Sequence, residues 1–204
     1  MKREFQYKST FLLFVVLAYL SVCGYISVKA QTNTYFGEGT NDNGVFNVAF
    51  GQYALVNNIT GGFNVAFGKD ALFSNVSNSQ NTAVGKMALF YNTADKLVAV
   101  GDSALFNNAS GLYNTALGSR ALTANTVGSL NTASGYFALY SNKLGTCNTA
   151  TGYLTLVNNT RANNTANGMM ALLNNKTGSS NTATGSYSML INDDGERNTA
   201  FGYA

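Results

Sequence analysis

The chain is built from one short motif copied along its length. Nine pentapeptides of the pattern Asn-Thr/Val-Ala-x-Gly begin at Asn47, Asn64, Asn81, Asn114, Asn131, Asn148, Asn164, Asn181 and Asn198, and Leu97-Val-Ala-Val-Gly101 is a further copy with Leu in place of Asn. Their glycines, from Gly51 and Gly68 to Gly185 and Gly202, are spaced 17 residues apart apart from two steps of 16. A second block follows each glycine at a fixed offset, as in Ala54-Leu55, Ala71-Leu72, Ala104-Leu105 and Ala138-Leu139. An Asn then closes the block, at Asn58, Asn75, Asn92, Asn108, Asn125, Asn142, Asn159, Asn175 and Asn192. Self-similarity at one fixed period, sustained over most of a chain, implies a solenoid in which each unit rests on its neighbours.

Two units span 34 residues, the length of a helix-pair repeat, so a helical solenoid is the first alternative. Residues 31–204 contain 28 Asn and 20 Gly, and each costs a helix about 0.7–1 kcal/mol relative to Ala. Leucine-rich repeats also stack Asn, but they use several leucines per unit, and this unit has about one. Short strands broken by Asn/Gly corners fit better: Thr-Ala-x-Gly as one strand, x-x-Ala-Leu-x as a second, and Asn-x-x-Gly as a tight turn. Ordering backbone costs about 1–2 kcal/mol per residue, whereas one buried Leu returns about 1.5–3 kcal/mol. A single coil therefore cannot fold alone, and stacking has to supply the difference. The absence of Pro agrees with a backbone that bonds from coil to coil. The expectation is an all-β parallel β-roll or solenoid of about ten 17-residue coils over residues 47–204, after a lead-in at 31–46. At about 4.8 Å per coil the rod is on the order of 50 Å long.

Within the first strand the residues beside the Ala vary, from Val48 and Phe50 to Thr149 and Thr151, while the Ala does not. Period-two geometry separates the two sets onto opposite faces. A strictly small face suits close approach of another backbone, which points to a homotrimer or other bundle. The competing reading is that Ala fills a narrow interior.

The N-terminus is of a different kind. Lys2, Arg3 and Lys8 precede an apolar run from Phe11 to Tyr19, and Val28-Lys29-Ala30 supplies small residues before Gln31, the layout of a secretory signal peptide over residues 1–30. A permanent anchor over Phe11 to Val28 is the alternative, and Leu20-Ser21-Val22-Cys23 is a weak match to a lipoprotein box. Of the 12 basic and 9 acidic residues, four and one fall in this segment, so the mature chain carries eight of each and is formally neutral. Without excess positive charge, nucleic acid and acidic membrane surfaces are poor partners. Cys147 is left without a second cysteine in the mature chain, which excludes an intrachain disulfide. The chain has no His and no Trp, so imidazole catalysis, imidazole metal ligation and tryptophan stacking are excluded.

Thr-Ala-Val-Gly at 82–85 and Val-Ala-Val-Gly at 98–101, recurring with Asn corners, resemble the head repeats of trimeric autotransporter adhesins of the YadA-like kind. They resemble equally the N-T-A-x-G-x-x-A-L arrays of related bacterial surface and phage tail-fibre proteins. The resemblance covers residues 47–204. It implies a left-handed parallel β-roll, three chains side by side, and display on the outer membrane of a Gram-negative bacterium, where the head binds matrix, host-cell or neighbouring-cell ligands of protein or glycan nature. The period of 17 is longer than the family repeat, and no coiled-coil stalk or membrane β-barrel follows in this sequence. Membrane attachment would come through such a missing C-terminal anchor, since Ala204 falls inside a unit and a longer protein is expected.

No residue is assigned a catalytic, cofactor-binding or metal-binding role. Asp193, Asp194 and Glu196 form the one acidic cluster, of a kind that serves glycoside hydrolysis or Ca²⁺, but they lie in the Asn-x-x-Gly turn, where Asp is a natural turn former. Cys147 occupies a column filled elsewhere by Phe46, Phe63, Gln80 and Ser180, and reads as an ordinary repeat position ahead of an interchain disulfide. Asn58-Ile-Thr, Asn75-Val-Ser, Asn108-Ala-Ser and Asn175-Lys-Thr match glycosylation acceptors and read instead as corners. Thr149-Ala-Thr151 and Thr182-Ala-Thr184 would make a hydroxyl array like that of ice-binding solenoids, interrupted by Phe, Val, Leu, Ser and Asn. The functional expectation is a non-enzymatic, surface-exposed fibrous protein that acts by adhesion, with a structural spacer as the alternative and an ice-binding solenoid as a lesser one.

Overall fold

The computed structural model describes residues 34–37 and 44–203. The signal segment 1–30, Cys23, Ala204 and most of the lead-in fall outside the described residues. The described chain is all-β, a parallel β-solenoid of about ten turns. Its strands are β1 (Thr34–Phe36), β2 (Val48–Phe50), β3 (Val65–Phe67), β4 (Thr82–Val84), β5 (Val98–Val100), β6 (Thr115–Leu117), β7 (Thr132–Ser134), β8 (Thr149–Thr151), β9 (Thr165–Asn167), β10 (Thr182–Thr184) and β11 (Thr199–Phe201). They form one sheet in chain order. Parallel neighbours need a crossover of a dozen or more residues, and residues 51–64 between β2 and β3 are such a connection.

Register is strict because the repeat enforces it. Ala66 pairs with Ala83, Ala99 with Ala116 and Ala133 with Ala150. The two 16-residue coils do not disturb the pairing, since Ala83 still meets Ala99 and Ala150 still meets Ala166. In both, the residue after the corner Asn is a threonine whose hydroxyl donates to a carbonyl of the next coil: Thr93 to Ala109 and Thr160 to Lys176. The deletion is thus absorbed in the turn.

The Ala-Leu block corrects one expectation. It is a turn, not a second strand, although its backbone still bonds from coil to coil: Leu55 N–H donates to Ala71 O at 3.0 Å, and Leu105 N–H to Ala121 O at 3.0 Å. An isolated parallel bridge between Asn174 and Ile191 is the nearest approach to a second sheet. The reason lies in the dihedrals. Tyr53 (φ 60°) and Leu55 (φ 53°) are both left-handed, and so are their counterparts in every described coil. Alternating left-handed residues curl the chain back instead of extending it.

The strand alanines give a second correction. They do not face another backbone; Ala49, Ala66, Ala83 and Ala116 are wholly buried inside the coil. The interior consists of these alanines, the Ala-Leu pairs and the recurrent asparagines, with essentially no exposure except at the C-terminal end of the described rod, where Met189, Asn192 and Ala200 are half-buried and Asn198 is exposed. A cross-section this small has room for one Leu per turn and keeps the strand position to Ala within the array; in β1, the first described strand, the half-buried Tyr35 takes the place of Ala and packs against the core, paired with Ala49. The small face therefore carries no information about association, and the flanking residues of the strand point outward.

Candidate interaction surface

The recurrent polar residues are all committed to holding the coil. Asn64, which opens its unit, accepts from Asn81 N–H at 3.0 Å through its side-chain oxygen and donates through its side-chain nitrogen to Asn78 O at 2.8 Å. The corner Asn125 donates to Gly128 O at 2.9 Å and to Asn108 Oδ1 at 2.8 Å. Two amide columns thus run along the solenoid, the one that opens each unit interrupted at Leu97, and among the described residues no buried side-chain nitrogen or oxygen lacks a partner. Buried amides that would each be costly alone are satisfied by their own copies above and below.

The candidate reactive groups resolve in the same way. Asn58, Asn75, Asn108 and Asn175 are the buried corner residues, and the nitrogen a glycan would need donates instead to a backbone carbonyl, as from Asn108 to Gly111 O at 2.9 Å. Asp193 sits in an exposed turn, where its carbonyl accepts from Thr177 N–H at 2.7 Å and its carboxylate pairs with Lys176 at 3.1 Å. Glu196 accepts from the Ser179 hydroxyl at 3.1 Å. Among the described residues no three His, Cys, Asp or Glu side chains are placed to share a metal ion. Cys147 is exposed, free and left-handed (φ 56°), bonded to Ser129 O through its amide like its column mates.

What remains free of structural duty is the outer surface. On the sheet, the residue that ends each strand runs Phe36, Phe50, Phe67, Val84, Val100, Leu117, then changes character to Ser134, Thr151, Asn167 and Thr184, and returns to an exposed Phe201 in β11. The residue that starts each strand is Val at 48, 65 and 98 and Thr elsewhere. The Phe rings stack down the column, Phe36 on Phe50 at 4.9 Å and Phe50 on Phe67 at 4.8 Å. Phe67 and Leu117 remain 40% and 42% exposed. The column just before the buried Asn adds Phe46, stacked on Phe63 at 5.1 Å, with exposed Tyr113 and Leu130 farther along. No strand of the sheet carries a charged residue. The strand-ending column is thus apolar over β1–β6 and polar over β7–β10, while the strand-starting column carries Thr34, Thr82 and Thr115 among the valines of β1–β6 and Thr throughout β7–β10.

A third column, Phe73, Phe90 and Phe106, stacks at 4.8 and 5.2 Å on another wall, half-buried, with Tyr91 set edge-on against it. Because its rings face each other, their edges are what they offer outward. The strand alternation in the sequence was enough to identify the sheet columns. The left-handed positions left a fainter signal: none of the non-glycine residues with positive φ is Val, Ile or Thr, and that exclusion is visible in the repeat. No helix among the described residues is long and apolar enough to cross a membrane. No family model, curated protein or solved structure matches the chain.

Proposed function

We propose that the chain is a non-enzymatic, surface-displayed fibrous protein whose solenoid mediates adhesion to host, matrix or neighbouring cells, presented in several copies as a homotrimer or similar bundle. One observation carries this reading. The recurrent side chains Asn, Ala and Leu are consumed inside the coil, and the outward columns change identity from coil to coil. A scaffold that keeps its interior constant and varies its surface supports binding over an extended area, with no clustered reacting groups. Weak contacts spread along such a rod gain from multiple presentation, because each further contact is made at high effective concentration. Secretion, through a signal at residues 1–30, would be the route to the surface. The resemblance of 47–204 to YadA-like head repeats supports the same reading.

The test is binding of the purified mature chain to immobilised collagen, fibronectin, a glycan array and intact cells. Saturable binding to one of them, lost when the outward columns are changed to Thr, is the expected result. No binding to any would overturn adhesion in favour of the structural spacer. The hydroxyl half of the sheet gives the ice-binding reading one specific support, since Thr132, Thr149, Thr165 and Thr182 stand in register. Its companion column, Ser134, Thr151, Asn167 and Thr184, is mixed, so thermal hysteresis no different from buffer is expected.

A further inference from the structure

We propose that Asn167 is a site of spontaneous covalent modification, converted to aspartate or isoaspartate when its rung of the solenoid opens, and that Thr155 is the side chain that holds this rung shut.

Asn167–Gly168 is the one Asn-Gly pair that lies wholly within the described residues. Such a pair carries its own reactants. The amide nitrogen of Gly168 attacks Cγ of Asn167, and water carries its proton to the carboxamide nitrogen, which leaves as ammonia. A five-membered succinimide is left, and water opens it at either carbonyl to give aspartate or isoaspartate. Gly in the second place leaves the attacking nitrogen unshielded by any Cβ. Asn167 is exposed in β9, and its carboxamide has no hydrogen-bond partner among the described residues. In the other strands this position holds Phe, Val, Leu, Ser or Thr, which confines the reaction to one rung.

The closed rod opposes each step. Gly168 N–H donates to Thr151 O at 2.8 Å, so the attacking nitrogen is engaged. Gly168 O accepts from the Thr155 hydroxyl at 2.7 Å. Both polar groups of Gly168 are thereby tied to the rung below. Asn167 is also held in register between Thr151 and Thr184, and ring closure would rotate it out of strand dihedrals. The hydroxyl clamp belongs to this rung: the place of Thr155 is Ala in the other coils, apart from Ser188, whose hydroxyl reaches Ala200 O at 3.4 Å instead. Thr155 is the one fully buried threonine among the described residues, and it lies beneath the Asn-Gly pair.

Reaction therefore proceeds from the opened rung, at a rate set by how often the rung is open. The product does not revert. Isoaspartate routes the main chain through the former side-chain carbon, adding a methylene between Ala166 and Gly168. The pairing of Ala150 with Ala166 and the bond from Gly168 to Thr151 can then no longer form together. A transient opening becomes a permanent break in mid-array, so the rod ages at a defined rung.

The mature chain, Thr155→Ala and Thr155→Ser are incubated at neutral pH, and conversion of Asn167 is followed by peptide mapping and mass spectrometry. The same chains in guanidinium chloride give the rate without the fold. The native wild type is expected to convert at least about tenfold more slowly than the denatured chain. Thr155→Ala, which copies the other coils, is expected to raise the native rate about fivefold, the factor that one lost hydrogen bond gives, and to leave the denatured rate unchanged. Thr155→Ser keeps the hydroxyl and stays near wild type. Hydrogen exchange in Thr155→Ala quickens at the Gly168 amide and not at that of Leu105, several rungs away. Equal native and denatured rates would overturn gating by the fold. A Thr155→Ala rate equal to wild type, a Thr155→Ser rate equal to Thr155→Ala, or exchange that quickens equally at Leu105 would overturn the role of Thr155.

Discussion

The backbone amide of Leu97 donates to the side-chain oxygen of Asn81 at 3.1 Å, but Leu97 has no side-chain oxygen with which to hold the amide of Asn114 above it. Elsewhere that link is unbroken, as from Asn148 N–H to Asn131 Oδ1 at 3.0 Å and from Asn181 N–H to Asn164 Oδ1 at 3.0 Å. Leu97→Asn restores the missing bond, worth about 1 kcal/mol, and removes a fully buried Leu worth about 1.5–3 kcal/mol. The carbonyl of Gly111, now bonded by Asn108, would receive the new amide as Gly128 O receives both Asn114 and Asn125. The net change is expected to lie within about 1 kcal/mol of zero. The reverse lesion, Asn131→Ala, strands the buried amide of Asn148 and is expected to cost about 2 kcal/mol or more. Denaturant midpoints of the two variants check the asymmetry.

Leu is required in the Ala-Leu block for its shape as well as its hydrophobicity. Leu122 has φ 52° and Leu105 φ 50°, a region where branching at Cβ crowds the backbone. Leu122→Ile keeps the volume and is expected to cost about 2 kcal/mol through strain. Leu122→Met is expected to cost less than about 1.5 kcal/mol, because Met189 already occupies the equivalent place at φ 50°. Thermal melts that rank Met above Ile would confirm the cause; equal losses would assign it to packing alone.

How far the sequence revealed this structure depended on which residues carried the information. The period in the Ala-x-Gly copies defined the solenoid, its axis and its register, because one face of every strand from β2 to β11 holds only Ala. The Asn corners were legible as turns, yet the sequence did not reveal that two asparagines per coil converge on one carbonyl, as Asn47 and Asn58 do on Gly61 O. Two errors had the same source. Ala54-Leu55 looked like a strand because hydrophobicity does not report the sign of φ, and the small face looked like an interface because alternation separates two faces without saying which is inside. The apolar-to-hydroxyl change between Leu117 and Ser134 was legible throughout, but its meaning depended on that inside–outside assignment.

Charge contributes little to the stability of this molecule. Lys176–Asp193 at 3.1 Å is the one ion pair found among the described residues, and both side chains are more than half exposed. Such pairs are worth well under about 1 kcal/mol. Lys176→Ala is expected to leave the melting temperature within about 1–2 °C of wild type. Raising ionic strength from about 0.01 to about 1 M, which shortens the screening length from about 30 to about 3 Å, is expected to leave the unfolding transition free of any salt-induced loss. A marked destabilisation at high salt would reveal electrostatic support that the geometry does not contain.

The strand-closing glycines are a different matter, because no side chain can be accommodated there. Gly118 has φ 137°, and a Cβ built on it would stand 2.5 Å from the carbonyl oxygen of Gly135. That contact is with backbone, so relief requires the next coil to move. Gly135 is itself held by a 2.7 Å bond from its amide to Leu117 O, within the parallel ladder between Leu117 and Ser134. Gly118→Ala therefore combines dihedral strain of about 1–3 kcal/mol with a separation of coils in mid-array, where fraying from an end cannot relieve it. The expected loss exceeds about 3 kcal/mol. Hydrogen exchange would locate it, with protection falling first at the amides of Gly135 and Leu122 that cross this junction, and at more distant junctions only when the whole rod opens. A variant with native protection at Gly135 would show that a Cβ at 118 is accommodated without opening the junction, and would remove the explanation offered here for glycine in this column.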